Sequence, residues 1–274
     1  MYNLDYIAQK ELENFPKSIS IEQMDIIKRQ MATSICKIKC PNGGFGTGFF
    51  CKIYFKDQFH LIPVLNTNNH VLNENDIKSG NSIIFSLNNE QFIYKMHFDN
   101  IRKTYTNIEY DITIIVLNEN DAVIKCSFLE LDFEPFKNYL NSEYKNKSIY
   151  LIHYPHGNKA ELSLGVIKGI NLDSYTIEHF CFTKNGSSGG PILNLLNYKV
   201  IGIHKGSQKD FQLNLGTLII RAVESFYENQ RLKTIIKPNI QNNNMNFIFN
   251  NFQNSNMINQ INQNNIDLTF LKFF

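Results

Sequence analysis

Residues Lys184–Pro191 read Lys-Asn-Gly-Ser-Ser-Gly-Gly-Pro, and the apolar pair Ile192-Leu193 follows them. Three glycines in so short a stretch permit backbone angles with positive φ and let another backbone or a ligand approach closely. A serine in such a turn projects outward while neighbouring N–H groups point at one spot. Acyl transfer needs this combination of a nucleophilic hydroxyl and donors for a developing oxyanion. Taken alone, the stretch suits a plain hairpin loop equally well.

Two further stretches favour the catalytic interpretation. His70 comes shortly after the apolar run Leu61–Leu65, within Asn66-Thr67-Asn68-Asn69-His70. Asp111 stands at the start of the strongly apolar run Ile112–Leu117. The chain order is therefore His, Asp, Ser, which is one of several unrelated orders in which a catalytic triad occurs.

These segments resemble those of trypsin-like serine proteases, over roughly residues 34–235. The matches are a T-x-x-H histidine motif, a D-I-x-x-[ILV] aspartate motif and a G-x-S-G-G-P serine motif. Gly46-Thr47-Gly48 resembles the segment that precedes the histidine strand in this family. The resemblance implies an all-β, chymotrypsin-like fold of two antiparallel six-stranded β-barrels, with the site in the cleft between them and a closing C-terminal helix.

The resemblance also implies the role of each site residue. Ser188 matches the nucleophile, His70 the general base and acid, and Asp111 the carboxylate that orients the imidazole. The N–H groups of Gly186 and Ser188 match the oxyanion hole. One residue departs from the pattern: Ser187 stands where the family often has Asp or Asn. No Ile-Val-Gly-Gly-like activation sequence precedes the first barrel, so we expect no activation by a newly made N-terminus.

A second resemblance concerns specificity. Val200–His204 is similar to the V-I-G-I-H segment of bacterial glutamyl endopeptidases, and Thr183 lies five residues before Ser188, like their pocket threonine. In that family the histidine lines the primary specificity pocket, and a free N-terminal amine also contributes, which this N-terminus does not obviously supply. The histidine motif fits high-temperature-requirement proteases equally well. We therefore expect His204 and Thr183 to bind substrate and cleavage to follow Glu, with Asp weaker. The alternative is a strand histidine beside a pocket for small apolar side chains.

Composition restricts the partners. The 274 residues are 43% hydrophobic with a net charge of +2, which gives no electrostatic reason to expect nucleic acid or membrane binding. The five cysteines are odd in number and have no framework-like spacing, so we expect reduced, mostly buried thiols. We expect a protein or peptide substrate, no cofactor and no metal, while the sequence leaves the oligomeric state open. No secretory signal or membrane span is visible, which predicts an intracellular protein.

The predicted organisation has five parts: an N-terminal helical extension (1–33), a first barrel (34–125), a connection (126–147), a second barrel with its closing helix (148–237) and an Asn-rich, low-complexity tail (238–274). In the extension, Ile21, Met24, Ile27 and Met31 recur at helical spacing, and Ser20 with Gln23 suits a capping box. This helix packs on the barrels or binds a partner.

The other histidines have no partner motif, so we expect structural or exposed positions for His60, His97, His153, His156 and His179. The leading functional hypothesis is an active serine endopeptidase. A protease-fold binding or scaffolding protein with weak or latent activity is the alternative from another class, and a polyprotein-processing enzyme would share the same chemistry.

Overall fold

The structure is a computed structural model that describes residues 15–54, 61–132, 144–208 and 213–239. The chain divides into a large unit, residues 1–226, and a small one, residues 227–274, which contains the C-terminal part of the last helix. Of the predicted tail (238–274), only the first two residues are described. His60 lies outside the described residues.

The described elements are two α-helices, thirteen strands and two short 3₁₀ turns. In chain order they are α1 (Ile21–Ser34), β1 (Ile35–Lys39), β2 (Phe45–Tyr54), β3 (Leu61–Thr67), β4 (Ser82–Leu87), β5 (Phe92–His97), β6 (Thr104–Asn107), β7 (Ile112–Val116), the turn Ala122–Lys125, β8 (Ser148–His153), the turn Pro155–Gly157, β9 (Glu161–Asn171), β10 (Thr176–His179), β11 (Pro191–Asn194), β12 (Val200–Gln208), β13 (Leu213–Leu218) and α2 (Ile219–Asn239).

The second half closes into the predicted six-stranded barrel. Its strands follow the order β10-β13-β12-β11-β8-β9, and every neighbouring pair is antiparallel. Buried aliphatic side chains fill the interior, among them Ile149, Leu151, Ile177, Ile192 and Ile201. Because alternate residues of each strand face inward, these side chains form one continuous core.

The first half differs in detail from a closed six-stranded barrel. It is a seven-stranded antiparallel sheet of order β5-β4-β1-β2-β3-β7-β6, and β5 and β6 are its edges among the described residues. The sequence did not predict β6, because Thr104–Asn107 is short and lacks an apolar repeat. Arg102 joins β5 to β7: its Nε donates to the carbonyl of His97 and its Nη1 to that of Val116, both over 3.0 Å. A side chain thus connects strands that no backbone ladder joins.

Helix α1 begins with the predicted capping box. Ser20 Oγ accepts the N–H of Gln23, and the Gln23 side chain accepts the N–H of Ser20. Ile27 is buried, whereas Ile21 remains 78% exposed. Gln30 attaches the helix to the second barrel, since it donates to the carbonyl of Tyr198 and accepts from the hydroxyl of Tyr150. The helix therefore packs on the barrels through its C-terminal half.

All five cysteines are free thiols, and four of them are buried. Burial raises the pKa of the Cys51 and Cys181 thiols to about 12, so both are neutral and inert at physiological pH. None of the described helices has the length and apolar character needed to span a membrane. The described part of the chain has no cluster of three or more His, Cys, Asp or Glu side chains suited to a metal ion.

Candidate active site

His70 is held by a tight turn at the end of β3. The N–H groups of Val71 and Leu72 both donate to the carbonyl of Asn68, over 3.2 and 3.1 Å. The side-chain amide of Asn68 donates to the carbonyl of Asp111 over 2.8 Å. This amide ties the histidine turn to the loop before β7, so the two segments are positioned together.

His70 and Asp111 form a hydrogen-bonded pair. His70 Nδ1 lies 2.7 Å from Asp111 Oδ2, and the backbone N–H of His70 donates to Oδ1 over 3.0 Å. Asp111 has a φ of 52°, a left-handed conformation that few residues other than Gly, Asn and Asp adopt readily. Because the carboxylate accepts the proton on Nδ1, Nε2 of the neutral imidazole carries a lone pair and is free to act as a base. The His70 side chain is half exposed, which leaves this nitrogen accessible.

Ser188 lies in a compact loop that β2 holds from the first half of the molecule. Thr47 uses its N–H to bind the carbonyl of Ser188 and its hydroxyl to bind the carbonyl of Gly186, both over 2.8 Å. The N–H groups of Gly186 and Ser188 donate to no other described residue. One N–H donor on each side of Ser187 is therefore available to a ligand.

The approach of this loop to β3 requires glycine at position 189. Gly189 has a φ of +86°, and a Cβ there would lie 2.0 Å from the carbonyl oxygen of Thr47 and 2.4 Å from Oγ1 of Thr67. Thr67, three residues before His70, itself donates to that Thr47 carbonyl over 2.8 Å. The predicted serine and histidine segments thus meet at Thr47.

The hydroxyl of Ser188 makes no hydrogen bond to His70 or to any other residue in the described ranges. Catalytic hydrogen bonds are often long in unliganded enzymes and shorten when substrate binds. The structure therefore brings the serine and histidine segments together, but the side chains of Ser188 and His70 are not hydrogen-bonded to each other.

His204 lies directly behind the serine loop on β12. Its N–H donates to the carbonyl of Gly190 and its carbonyl accepts from Gly189, both over 2.9 Å, and its side chain is almost fully buried. His204 Nδ1 is 3.3 Å from Nε2 of His179, while Nδ1 of His179 accepts the N–H of Cys181. His179 therefore has its proton on Nε2 and donates it to His204, which leaves the His204 proton on Nε2.

Burial is the main reason that the pKa of His204 lies well below its usual value, and the nearby imidazoles of His179, His153 and His70 lower the pKa further. Burial also lowers the pKa of His179 to about 3. Both rings are neutral at physiological pH, so His204 presents an N–H donor rather than a positive charge.

Thr183 is also engaged by a neighbour. Its hydroxyl donates to Oδ1 of Asn214 over 2.7 Å, and Nδ2 of Asn214 donates to the carbonyl of Cys181 over 2.7 Å. The second bond fixes which end of the amide is the acceptor, because a carbonyl cannot donate. The Thr183 hydroxyl therefore offers a ligand only its lone pairs in this arrangement.

A family model described as a trypsin-like peptidase domain matches residues 46–203, more than half of the chain, and this range contains all three motifs. The chain belongs to the trypsin-like peptidase family. The fold and the family together identify it as a serine endopeptidase that acts on proteins or peptides.

Solved structures agree on the fold of this peptidase. It is similar to a serine endoprotease from Yersinia pestis, with 14% identity, a TM-score of 0.55, and coverage of 78% of this chain and 69% of that one. It is also similar to the inactive form of the Rv3671c protease from M. tuberculosis, with 17% identity, a TM-score of 0.50, and coverage of 74% and 91%. A search of curated protein sequences finds no match.

Three residues of the peptidase site have no signal in the sequence: His153, His179 and Asn214. His153 and His179 are buried, and each contacts a residue of the site: His153 Nδ1 lies 2.7 Å from Oγ of Ser187 and His179 pairs with His204. Asn214 orients the Thr183 hydroxyl. Ser187 departs from the family pattern, but the sequence does not indicate its partner.

Proposed function

We propose that this peptidase cleaves peptide bonds through an acyl-enzyme formed on Ser188, with His70 as general base and acid and Asp111 as the orienting carboxylate. The observation that supports this assignment best is the double contact of Asp111 with the ring and the backbone N–H of His70. The carboxylate fixes the tautomer with a free Nε2 and stabilises the imidazolium that forms when the ring takes the proton of Ser188.

The second part of the mechanism concerns the oxyanion. When Ser188 Oγ attacks the scissile carbonyl, negative charge develops on the carbonyl oxygen. The free N–H groups of Gly186 and Ser188 are the donors available to it, and a fixed donor stabilises the transition state more than the ground state. Collapse of the intermediate expels the amine, which takes its proton from His70, and water then hydrolyses the ester by the same route.

Labelling with a fluorophosphonate tests this mechanism against a scaffolding role. The wild-type chain should label rapidly, whereas Ser188→Ala should not label and His70→Ala should label very slowly. Each variant should lose about 10⁴–10⁶-fold in kcat, and the double variant should be little worse, because the residues act as a unit. Near-normal turnover in Ser188→Ala, or losses that multiply in the double variant, would show that other residues are responsible.

For specificity, we propose that the pocket beside His204 accepts an acidic side chain, Glu before Asp, on the acyl side of the cleaved bond. The support is the hydrogen-bonded order of His179 and His204, which places the His204 proton on Nε2 in a residue next to the serine loop, where the backbone of Leu215 is its partner in the free enzyme. A carboxylate that enters accepts this donor and, as an opposite charge, raises the pKa of the imidazole.

Thr183 contributes less to this preference than the resemblance implies, since its hydroxyl proton is bound to Asn214. Peptides that differ only in Glu or Gln at the cleaved residue test the proposal. We expect kcat/KM to favour Glu and the ratio to fall in His204→Ala. Equal cleavage of Glu and Gln, or a ratio unchanged in His204→Ala, would contradict the acidic pocket while leaving the protease assignment intact.

A further inference from the structure

The loop that contains the nucleophile rests on a second segment, residues 153–157, directly after β8. The N–H of His156 donates to the carbonyl of Asn185 over 2.5 Å. Gly186 has a φ of +91°, and a Cβ there would lie 2.5 Å from the carbonyl oxygen of Tyr154. The two backbones are therefore in direct contact, and the shape of one limits the shape of the other.

Within this contact, one side-chain hydrogen bond is fully buried. His153 Nδ1 and Ser187 Oγ lie 2.7 Å apart, and the two residues are 1% and 0% exposed. Ser187 Oγ also accepts the N–H of Lys184 over 2.9 Å, and the Ser187 N–H donates to the Lys184 carbonyl over 3.0 Å. The hydroxyl and the N–H of Ser187 thus both have partners. Among these partners in the described residues, His153 alone lies outside the loop.

The bond joins two neutral groups. Burial, helped by the charge of Lys184, lowers the pKa of His153 to about 4, so the ring is neutral at physiological pH. Ser187 Oγ accepts from Lys184 and keeps one hydrogen and one lone pair, so it donates to Nδ1 of His153 in one ring tautomer and accepts from it in the other. In either tautomer, Nε2 of His153 is buried without a partner among the described residues.

Ser187 lies between the two residues whose N–H groups are free. The Ser187–Ser188 peptide unit carries the Ser188 N–H, and the fixed Ser187 side chain opposes a rotation that would turn this N–H away from the site. The Gly186 N–H belongs to the Asn185–Gly186 peptide unit, whose carbonyl is held by the N–H of His156. We propose that His153 is a positioning residue of this peptidase: its hydrogen bond to Ser187 holds the Ser188 N–H in the orientation that binds the oxyanion. This inference rests on the proposed triad mechanism.

The pair also explains how the loop is held at this position without a buried charge. A carboxylate in place of Ser187 would need a cation or several donors in the same space, because a buried unpaired charge is very costly. The hydroxyl and the neutral imidazole satisfy each other. A neutral pair, rather than an ion pair, therefore holds this side of the loop.

Four variants test the positioning role: His153→Phe, His153→Asn, Ser187→Ala and the double variant His153→Phe/Ser187→Ala. His153→Phe keeps the ring volume but removes the hydrogen-bond partner of Ser187, whereas the side-chain amide of His153→Asn restores a partner near Nδ1. The exposed His97 offers a matched control, His97→Phe. Steady-state kinetics, the rate of fluorophosphonate labelling and thermal unfolding are measured for each.

We expect His153→Phe and Ser187→Ala to lower kcat by about 10–100-fold with little change in KM, below the 10²–10³-fold loss expected when a whole donor is removed. His153→Asn should recover most of kcat, and the double variant should be no worse than either single one. The labelling rate should fall in parallel, while His97→Phe should match wild type.

Full kcat in a folded His153→Phe, or losses that multiply in the double variant, would overturn the inference. If His153→Phe does not fold, Ser187→Ala decides alone, and unchanged labelling there also overturns it. Wild-type activity that survives Ser188→Ala would instead refute the mechanism on which the inference rests.

Discussion

Replacement of Thr47 by valine should weaken both the fold and the chemistry, because Thr47 is the residue through which the two halves of the site are joined. Its hydroxyl donates to the carbonyl of Gly186 over 2.8 Å and accepts the N–H of Tyr154 over 3.1 Å, and the residue is fully buried. Valine has nearly the same shape but no hydroxyl, so both backbone groups lose their partner without a change in packing.

The magnitude follows from those two groups. A buried polar group left without its hydrogen bond costs about 1–3 kcal/mol, so the loss of two in Thr47→Val should lower the free energy of unfolding by about 2–6 kcal/mol. The Gly186 carbonyl is also released, which should lower kcat more than it raises KM. Thr47→Ser retains the hydroxyl and loses one methyl group, so it should cost only about 1 kcal/mol and keep near-normal kcat.

Urea denaturation followed by fluorescence or circular dichroism, together with steady-state kinetics, measures both effects. Thr104→Val is the matched control, because Thr104 lies half-buried on the edge strand β6 and its hydroxyl makes no hydrogen bond within the described ranges, so the same exchange should change stability by less than about 0.5 kcal/mol. A Thr47→Val enzyme that is as stable and as active as wild type would refute the argument that this hydroxyl couples the two halves.

Three further results are expected. Arg102→Leu should destabilise the fold by about 3–5 kcal/mol in the same urea assay, because the mostly buried Asp121 loses the guanidinium that binds both its oxygens. A loss of stability below about 1 kcal/mol would contradict this expectation. Asn214→Ala should free the hydroxyl of Thr183 to donate to substrate and so raise the Glu/Gln ratio of kcat/KM, whereas an unchanged ratio would place that hydroxyl outside the pocket. The same ratio in wild type should fall as pH rises, because bound Glu raises the pKa of His204 above its depressed value in the free enzyme and binding then takes up a proton; a flat ratio would show that the imidazole stays neutral in the complex.

Much of the architecture could be predicted from the sequence. The second barrel, the capping box at Ser20 and the placement of Asp111 before β7 follow from local patterns: alternation in strands, a cap at a helix start and a polar residue at a strand end. These signals need only neighbouring residues, so a single sequence reveals them. The strand β6 and the open edge of the first sheet were not predicted, because a four-residue polar strand has no periodicity and strand order depends on distant pairings.

The sequence alone determined the three motifs and their order, which identified His70, Asp111 and Ser188 as candidates. Only the tertiary structure decided how these residues are supported. His153 and Ser187 are 34 residues apart, Thr183 and Asn214 are 31 apart, and His179 and His204 are 25 apart. Each pair lies on different strands or loops of the second barrel, so barrel closure and strand register create the contact. A buried histidine or asparagine has the same local pattern whether or not a partner faces it, and only the closed barrel supplies that partner.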